Sequence, residues 1–395
     1  MVQCNLRTSV EGRMFSLADQ LALSRNRPAG FDYMRITLAA AVVCQHSMNA
    51  TLGLRQTLEL LATPFRIPVA MILAFFFALS GFLVTGSLFR CKSLISFLGL
   101  RALRIAPALA VETTLSAIIV GPIFSETSLV QYLEDPKFYR YFLNIIGDIH
   151  YQLPGLFLHN PMPDVVNAQL WTVPNELWCY VALALLAATS ICSNRVKYLA
   201  FLIFAQIGLI YYGIYHWEGT SLQLRAPLLV FCFLSGVGFY LWRDKTPFSP
   251  LTLLFALFLC TAGLSIEHGD MLVPIPAAYV TCYLGSLDPK RSWIVSSGDY
   301  SYGVFLYGFV IQQCVATFGE PVRHWSLNIL ISLPISFGAA FVSWHLVEKY
   351  ALPLRRPLES FETAILSKIS FVRRRRKSPE TIQGPVLPDS IDPPS

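Results

Sequence analysis

The chain has 395 residues, of which 54% are hydrophobic and only 14% charged, with a formal net charge of +6 and a mean hydropathy of +0.52. No ordinary soluble domain of this length carries so little charge, so the chain reads as membrane-embedded. The positive excess follows from where Lys and Arg fall between apolar runs, and implies no nucleic-acid partner.

Residues 1–30 are polar and lack the apolar core of a signal peptide, so they read as a short cytoplasmic lead. Apolar runs follow at 31–50, 68–89, 106–124, 171–192, 197–215, 226–242, 249–265, 271–287, 299–318 and 327–346. Each is near the ~20 residues that a helix needs to cross a ~30 Å hydrocarbon core. They are continuously apolar and do not alternate, which argues against barrel strands. The pattern predicts an all-α integral membrane protein with about ten transmembrane helices in one body, 31–350.

The longest connection, 125–170, carries Tyr132, Phe138, Tyr139, Tyr141, Phe142 and Tyr151. It reads as an interfacial cap, serving either as headgroup anchor or as a sugar-stacking surface. Residues 351–395 form a tail that is basic at Arg373, Arg374, Arg375, Arg376 and Lys377, then Pro-rich. The basic run is expected to lie against anionic lipid and the remainder to be disordered.

Charge placement orients the body. Arg55, Arg66, Lys137, Arg140, Arg225 and Arg323 fall on one side of the runs and Arg35 lies inside the first. The rest of the 30 Lys and Arg fall on the side of the termini. By the positive-inside rule both termini are cytoplasmic and loop 125–170 is extracytoplasmic. Seven of the nine cysteines (Cys44, Cys179, Cys192, Cys232, Cys260, Cys282 and Cys314) fall within the runs, and no C-x-x-C occurs. Neither a disulfide framework nor a metal site is expected.

The chemistry-bearing signal is polar residues at membrane depth. Arg35 and His46 are eleven apart in the first run, so they lie within ~20° of one helical face and ~16 Å apart along it. Ionisable residues there are functional candidates by default. Snorkelling of Arg35 and bracing by His46 are the bland alternatives. Glu176, near the outer end of the fourth run, is placed at a depth similar to His46, where a carboxylate would orient the imidazole as a general base. Its alternative role is to brace the start of its own helix. Arg101 and Arg104 share a face as the third run begins and could clamp phosphates, or simply anchor the helix at the inner surface. Ser80-Gly81 would permit close helix approach, Glu112 is a buried acid in need of a partner, and Tyr302 and Tyr307 line the ninth run.

Five of these patches, in order over 31–350, resemble the membrane acyltransferase-3 family. Arg35 and His46-Ser47 are similar to its R-x10-H pattern, and Phe76-Phe77-Ala78-Leu79-Ser80-Gly81-Phe82 to its F-F-x-L-S-G-F block. Arg101-x-x-Arg104-Ile105-x-Pro107 is similar to R-x-x-R-I-x-P. Leu170-Trp171-Thr172-Val173-Pro174-Asn175-Glu176, with Tyr180, is similar to its L-W-S/T block. Asp299 to Tyr307 resembles the late S-Y-x-x-Y-L-x-H segment. Tyr307 stands where many members have histidine and Phe305 where many have tyrosine; a phenol is no base near neutral pH.

The resemblance implies a multi-pass O-acyltransferase of the bacterial cytoplasmic (inner) membrane, moving an acyl group from cytosolic acyl-CoA to a saccharide or lipid-linked saccharide such as lipopolysaccharide, with acetyl-CoA the expected donor. It implies His46 as base or acyl carrier, oriented by Glu176, with Arg35, Arg101 and Arg104 on the donor phosphates and Ser80, Tyr302 and Tyr307 as candidate lining. No cofactor beyond the acyl-CoA co-substrate is implied. The rival from another class is a transporter or flippase using Arg35, His46 and Glu176 as a pathway. A non-catalytic scaffold would leave the polar column unexplained.

Overall fold

The structure, a computed structural model, describes residues 14–62, 65–219, 221–351 and 353. The basic run at 373–377 and the tail around it lie outside the described residues, as does the start of the lead. No strand occurs among the described residues.

In chain order the helices are α1 Leu17–Leu23, α2 Gly30–Leu61, α3 Arg66–Arg90 and α4 Leu94–Leu115, which runs through a π turn, Ser116–Val120, into α5 Gly121–Phe124. The outer loop holds α6 Leu129–Glu134 and α7 Pro136–Tyr141. A 3-10 turn, Ala168–Trp171, leads into α8 Thr172–Ala188. Then come α9 Arg195–His216, α10 Ala226–Leu241, α11 Pro250–Ser265, α12 Pro274–Gly285, α13 Trp293–Ser297, α14 Ser301–Ala316, α15 Trp325–Ser343 and α16 Lys349–Ala351.

All ten apolar runs are thus helical. Among the described residues five helical stretches are long and apolar enough to cross a membrane: Arg66–Arg90, Leu94–Phe124, Ala168–Ala188, Arg195–His216 and Trp325–Ala351. The apolar helices α10, α11 and α14 are shorter.

Local sequence explains several boundaries. Pro250 and Pro274 open α11 and α12, where a fixed φ suits the first turn and no N–H is missed. The lead is more than a polar leader. Ser16 and Asp19 form a capping box for α1, whose Leu17 and Leu21 are buried in a cluster with Phe248 and Tyr283.

Helix α2 bends sharply at Gly53, whose φ of 77° is unfavourable for side chains. A Cβ there would also meet the Pro161 carbonyl of the outer loop at 2.6 Å.

The bundle is centred on α3 and α10. They cross backbone against backbone: a Cβ on Gly81 would collide with the Phe233 carbonyl, and one on Gly236 with that of Ala78. The close approach expected at Ser80-Gly81 is this crossing. The outer loop has its own small core, in which Tyr132 and Tyr141 are fully buried and the Tyr132 hydroxyl donates to the Ala117 carbonyl at 2.8 Å. Those two rings therefore pack the cap, while Tyr139 is exposed and Tyr151 faces a cavity.

Candidate active site

Two cavities along α2, named inner and outer after the expected orientation, hold the candidate residues. The inner one is a slot of about 90 Å³. Arg35, Arg101, Arg104, Ser80, Glu176 and Tyr302 line it, with Thr172 and Phe305 farther along. α2, α3, α4, α8 and α14 thus each contribute polar groups to one narrow space. The arginines that sequence placed near one another converge here.

The arginines differ in what holds them. Arg104 pairs with Asp299 at 2.6 Å, and Arg35 reaches the same carboxylate oxygen at 3.1 Å. Ser301 donates to the other oxygen at 2.7 Å. Arg101 donates only to the Ser87 hydroxyl, at 3.2 Å, and its buried Nε has no partner among the described residues. A buried donor without a partner is costly, so this group is poised for a ligand acceptor in the slot.

The outer cavity, about 380 Å³, is lined by Gln45, His46, Asn49, Tyr151, Trp171 and Gln223 among others. His46 is buried, and its ring meets the Phe309 ring edge-on at 5.6 Å between centroids. Its nitrogens have no hydrogen-bond partner among the described residues. Around it the backbone is braced: Ser47 donates to the Trp325 carbonyl at 2.8 Å, and Gln312 to the Val43 carbonyl at 2.6 Å. Trp171 lines the outer cavity and the next residue, Thr172, lines the slot, both at the start of α8.

Two sequence expectations are corrected. Glu176 does not orient His46: its carboxylate accepts from the Tyr180 hydroxyl and faces the arginine slot, whereas His46 faces the outer cavity. The reason is depth. Glu176 lies five residues, or ~7 Å, inward of Trp171, and only the latter reaches the level of His46.

Tyr307 does not line the slot either. At 100° per residue it points ~140° away from Tyr302, and its hydroxyl meets Ser343 of α15 at 3.2 Å. Ser80 and Tyr302 do line it. Glu112 has its partners, Ser116 at 2.9 Å and Asn167 at 2.6 Å, and belongs to neither cavity.

Asp299 has no role in the sequence reading, although it opens the segment resembling the late family block. Gln45, Asn49 and Gln223 are likewise absent from it, and Trp171 enters only through the L-W-S/T block. Asp299 gave one usable signal, an acid just ahead of an apolar helix facing a basic inner surface. The uncharged cavity residues gave none.

Comparison with known proteins follows the same span. Residues 29–348 match the acyltransferase-3 family, described as an acyltransferase domain. An O-acetyl transferase of Shigella phage Sf6 is 26% identical over 312 residues, covering 73% of this chain and 86% of that protein. Nodulation protein 10 of Rhizobium leguminosarum bv. viciae is 27% identical over 357 residues, covering 83% and 94%. No solved structure matches the chain.

Proposed function

The chain belongs to the acyltransferase-3 family, and from that premise we propose that it is an integral membrane O-acyltransferase acting on a cell-surface or lipid-linked saccharide. The donor in this reading is cytosolic acyl-CoA, with acetyl the transferred group. The protein crosses the bacterial cytoplasmic membrane about ten times, with both termini inside. The observation that carries the reading is that Arg35 and His46, on one helix, open into two cavities lined at the start of α8 by the consecutive residues Thr172 and Trp171. The family match, to an acyltransferase domain, favours group transfer over transport.

The donor enters the slot from the arginine end. Arg101, whose Nε is unpartnered, and the Arg35 and Arg104 pair supply charge-assisted donors to phosphate or carbonyl oxygens. A slot of about 90 Å³ favours a short acyl group on the end of the pantetheine arm over a long chain. The saccharide occupies the wet outer cavity, where Gln45, Asn49 and Gln223 offer amides to its hydroxyls and Tyr151 and Trp171 offer rings.

His46 removes the proton from the attacking hydroxyl as the oxygen adds to the thioester carbonyl, and the thiolate leaves. In the variant route His46 carries the acyl group between donor and acceptor. Either way the acyl group travels from the slot, which Phe305 lines, to the imidazole, which packs on Phe309 in the cavity that Trp171 lines.

The test is transfer of labelled acetyl from acetyl-CoA by the purified protein in lipid nanodiscs, together with mass spectrometry of surface glycans from cells with and without the protein. Loss of an acetyl mass increment on a glycan in the cells lacking it, with label transfer in vitro, supports the reading. Glycans unchanged in mass and no thioester consumption would sink it.

A further inference from the structure

A further cavity opens beside the inner end of the slot. It measures about 570 Å³, and Arg27, Arg35, Arg90, Arg243 and Arg291 line it against one carboxylate, Asp32. Arg35 and Leu83 line both this space and the slot, so the two are contiguous.

The guanidiniums arrive from five places in the chain: ahead of α2, within it, at the end of α3, after α10 and ahead of α13. Asp32 is taken by Arg291 at 3.0 Å, and Arg35 is shared with Asp299. Arg243 lies over the Tyr240 ring, 4.3 Å from its centroid, and donates to that residue's carbonyl at 2.6 Å. Arg27, Arg90 and Arg243 have no carboxylate partner among the described residues. Like charges gathered in a concave space repel one another and focus a positive potential on whatever enters it.

We propose that this cavity is the subsite for the 3′-phosphorylated adenosine diphosphate end of the donor, held by Arg27, Arg90 and Arg243. The inference rests on the acyl-CoA reading above and assigns residues outside the segments that carry the family resemblance.

Size and charge both favour it. The slot at about 90 Å³ cannot admit a nucleotide, whereas 570 Å³ lies within the range of about 300–1,000 Å³ usual for small-molecule sites. A phosphomonoester plus a diphosphate brings about four negative charges, which three unpaired guanidiniums and the edge of Arg35 would meet. Arg101 and Arg104 then face the pantetheine arm rather than the nucleotide. The contiguity at Arg35 and Leu83 lets one extended molecule occupy both spaces.

An anionic lipid headgroup shares the phosphate chemistry, so the test separates the two. Binding of acetyl-CoA and of adenosine 3′,5′-bisphosphate is measured with the full chain in nanodiscs of phosphatidylcholine, with and without phosphatidylglycerol. In the doubly substituted Arg90→Ala, Arg243→Ala protein both ligands should weaken about ten-fold or more, in either lipid. The preference of the wild type for acetyl-CoA over its 3′-dephospho form should shrink too. That ratio is independent of the fraction of protein correctly folded. Arg90→Lys should restore part of the loss.

Unchanged affinity and ratio in the double variant would overturn the subsite while leaving acetyl-CoA as donor. Unchanged nucleotide affinity with lost enrichment of phosphatidylglycerol would assign the cavity to a headgroup and also overturn it. A wild-type protein that neither binds nor uses acetyl-CoA would remove the donor reading and the subsite together.

Discussion

Arg104 and Asp299, 195 residues apart in sequence, meet at 2.6 Å. The same Asp299 oxygen also reaches Arg35, so one carboxylate ties the first residues of α14 to both α2 and α4. This clasp fixes the inner end of the slot and separates the two arginines of the R-x-x-R segment into a held one and a free one.

The separation predicts different phenotypes. Arg101→Ala should weaken donor binding, by loss of charge-assisted hydrogen bonds worth roughly 1.5–3 kcal/mol, with little change in thermal stability. Arg104→Ala should weaken donor binding and also lower the unfolding temperature, because it removes the shorter of the two arginine contacts to Asp299 and leaves Arg35 at 3.1 Å. Arg101→Lys should recover only part, since a point charge replaces the planar fork. Donor titration and thermal unfolding in detergent read both effects, and equal unfolding temperatures for the two alanine variants would contradict the clasp.

His46→Ala should keep the fold and donor affinity while transfer falls by about 10²–10⁴-fold, the usual contribution of a general base. The side chain makes no hydrogen bond to the described residues, so its removal leaves no buried polar partner unsatisfied. Near-normal transfer to the native acceptor by this variant would refute the mechanism.

Glu176→Gln should act on the donor side. Its carboxylate accepts from Tyr180 inside the arginine slot, so the amide should change the KM for acyl-CoA and leave the pH profile of transfer in place. A displaced basic limb with unchanged donor KM would restore a coupling to His46.

The membrane arrangement predicts that a cysteine introduced at Ser128 reacts with an impermeant thiol reagent in intact cells. One at Lys245 should react only after permeabilisation. Both positions are exposed in the fold. Labelling of both from outside would overturn the orientation.

What was legible in the sequence was whatever depends on neighbours along one helix. The alignment of Arg35 with His46 and of Arg101 with Arg104 follows from the helical repeat, and continuously apolar runs without alternation read as helices rather than barrel strands. Depth was legible only to about a turn. The 3-10 turn ahead of α8 and the bend at Gly53 each shift the count, and for Glu176 a shift of one turn decides which cavity it faces. Partners across the bundle left no periodic trace. The bonds of Asp299 to Arg35 and Arg104 span 264 and 195 residues, and the basic cavity gathers arginines that, taken singly, read as ordinary inner-surface anchors.

The crossing of α3 and α10 at Gly81 and Gly236 bears on substrate choice. Residue 80 borders the slot, and the peptide beside it is already in contact with the Phe233 carbonyl, so that wall cannot retreat. Any widening to admit a bulkier acyl group has to come from rotation of side chains opposite, chiefly Phe305, which sits 6.2 Å from Phe76 between ring centroids. Under the proposed function, chain-length tolerance would then turn on two aromatic rotamers and could be redesigned without disturbing the scaffold.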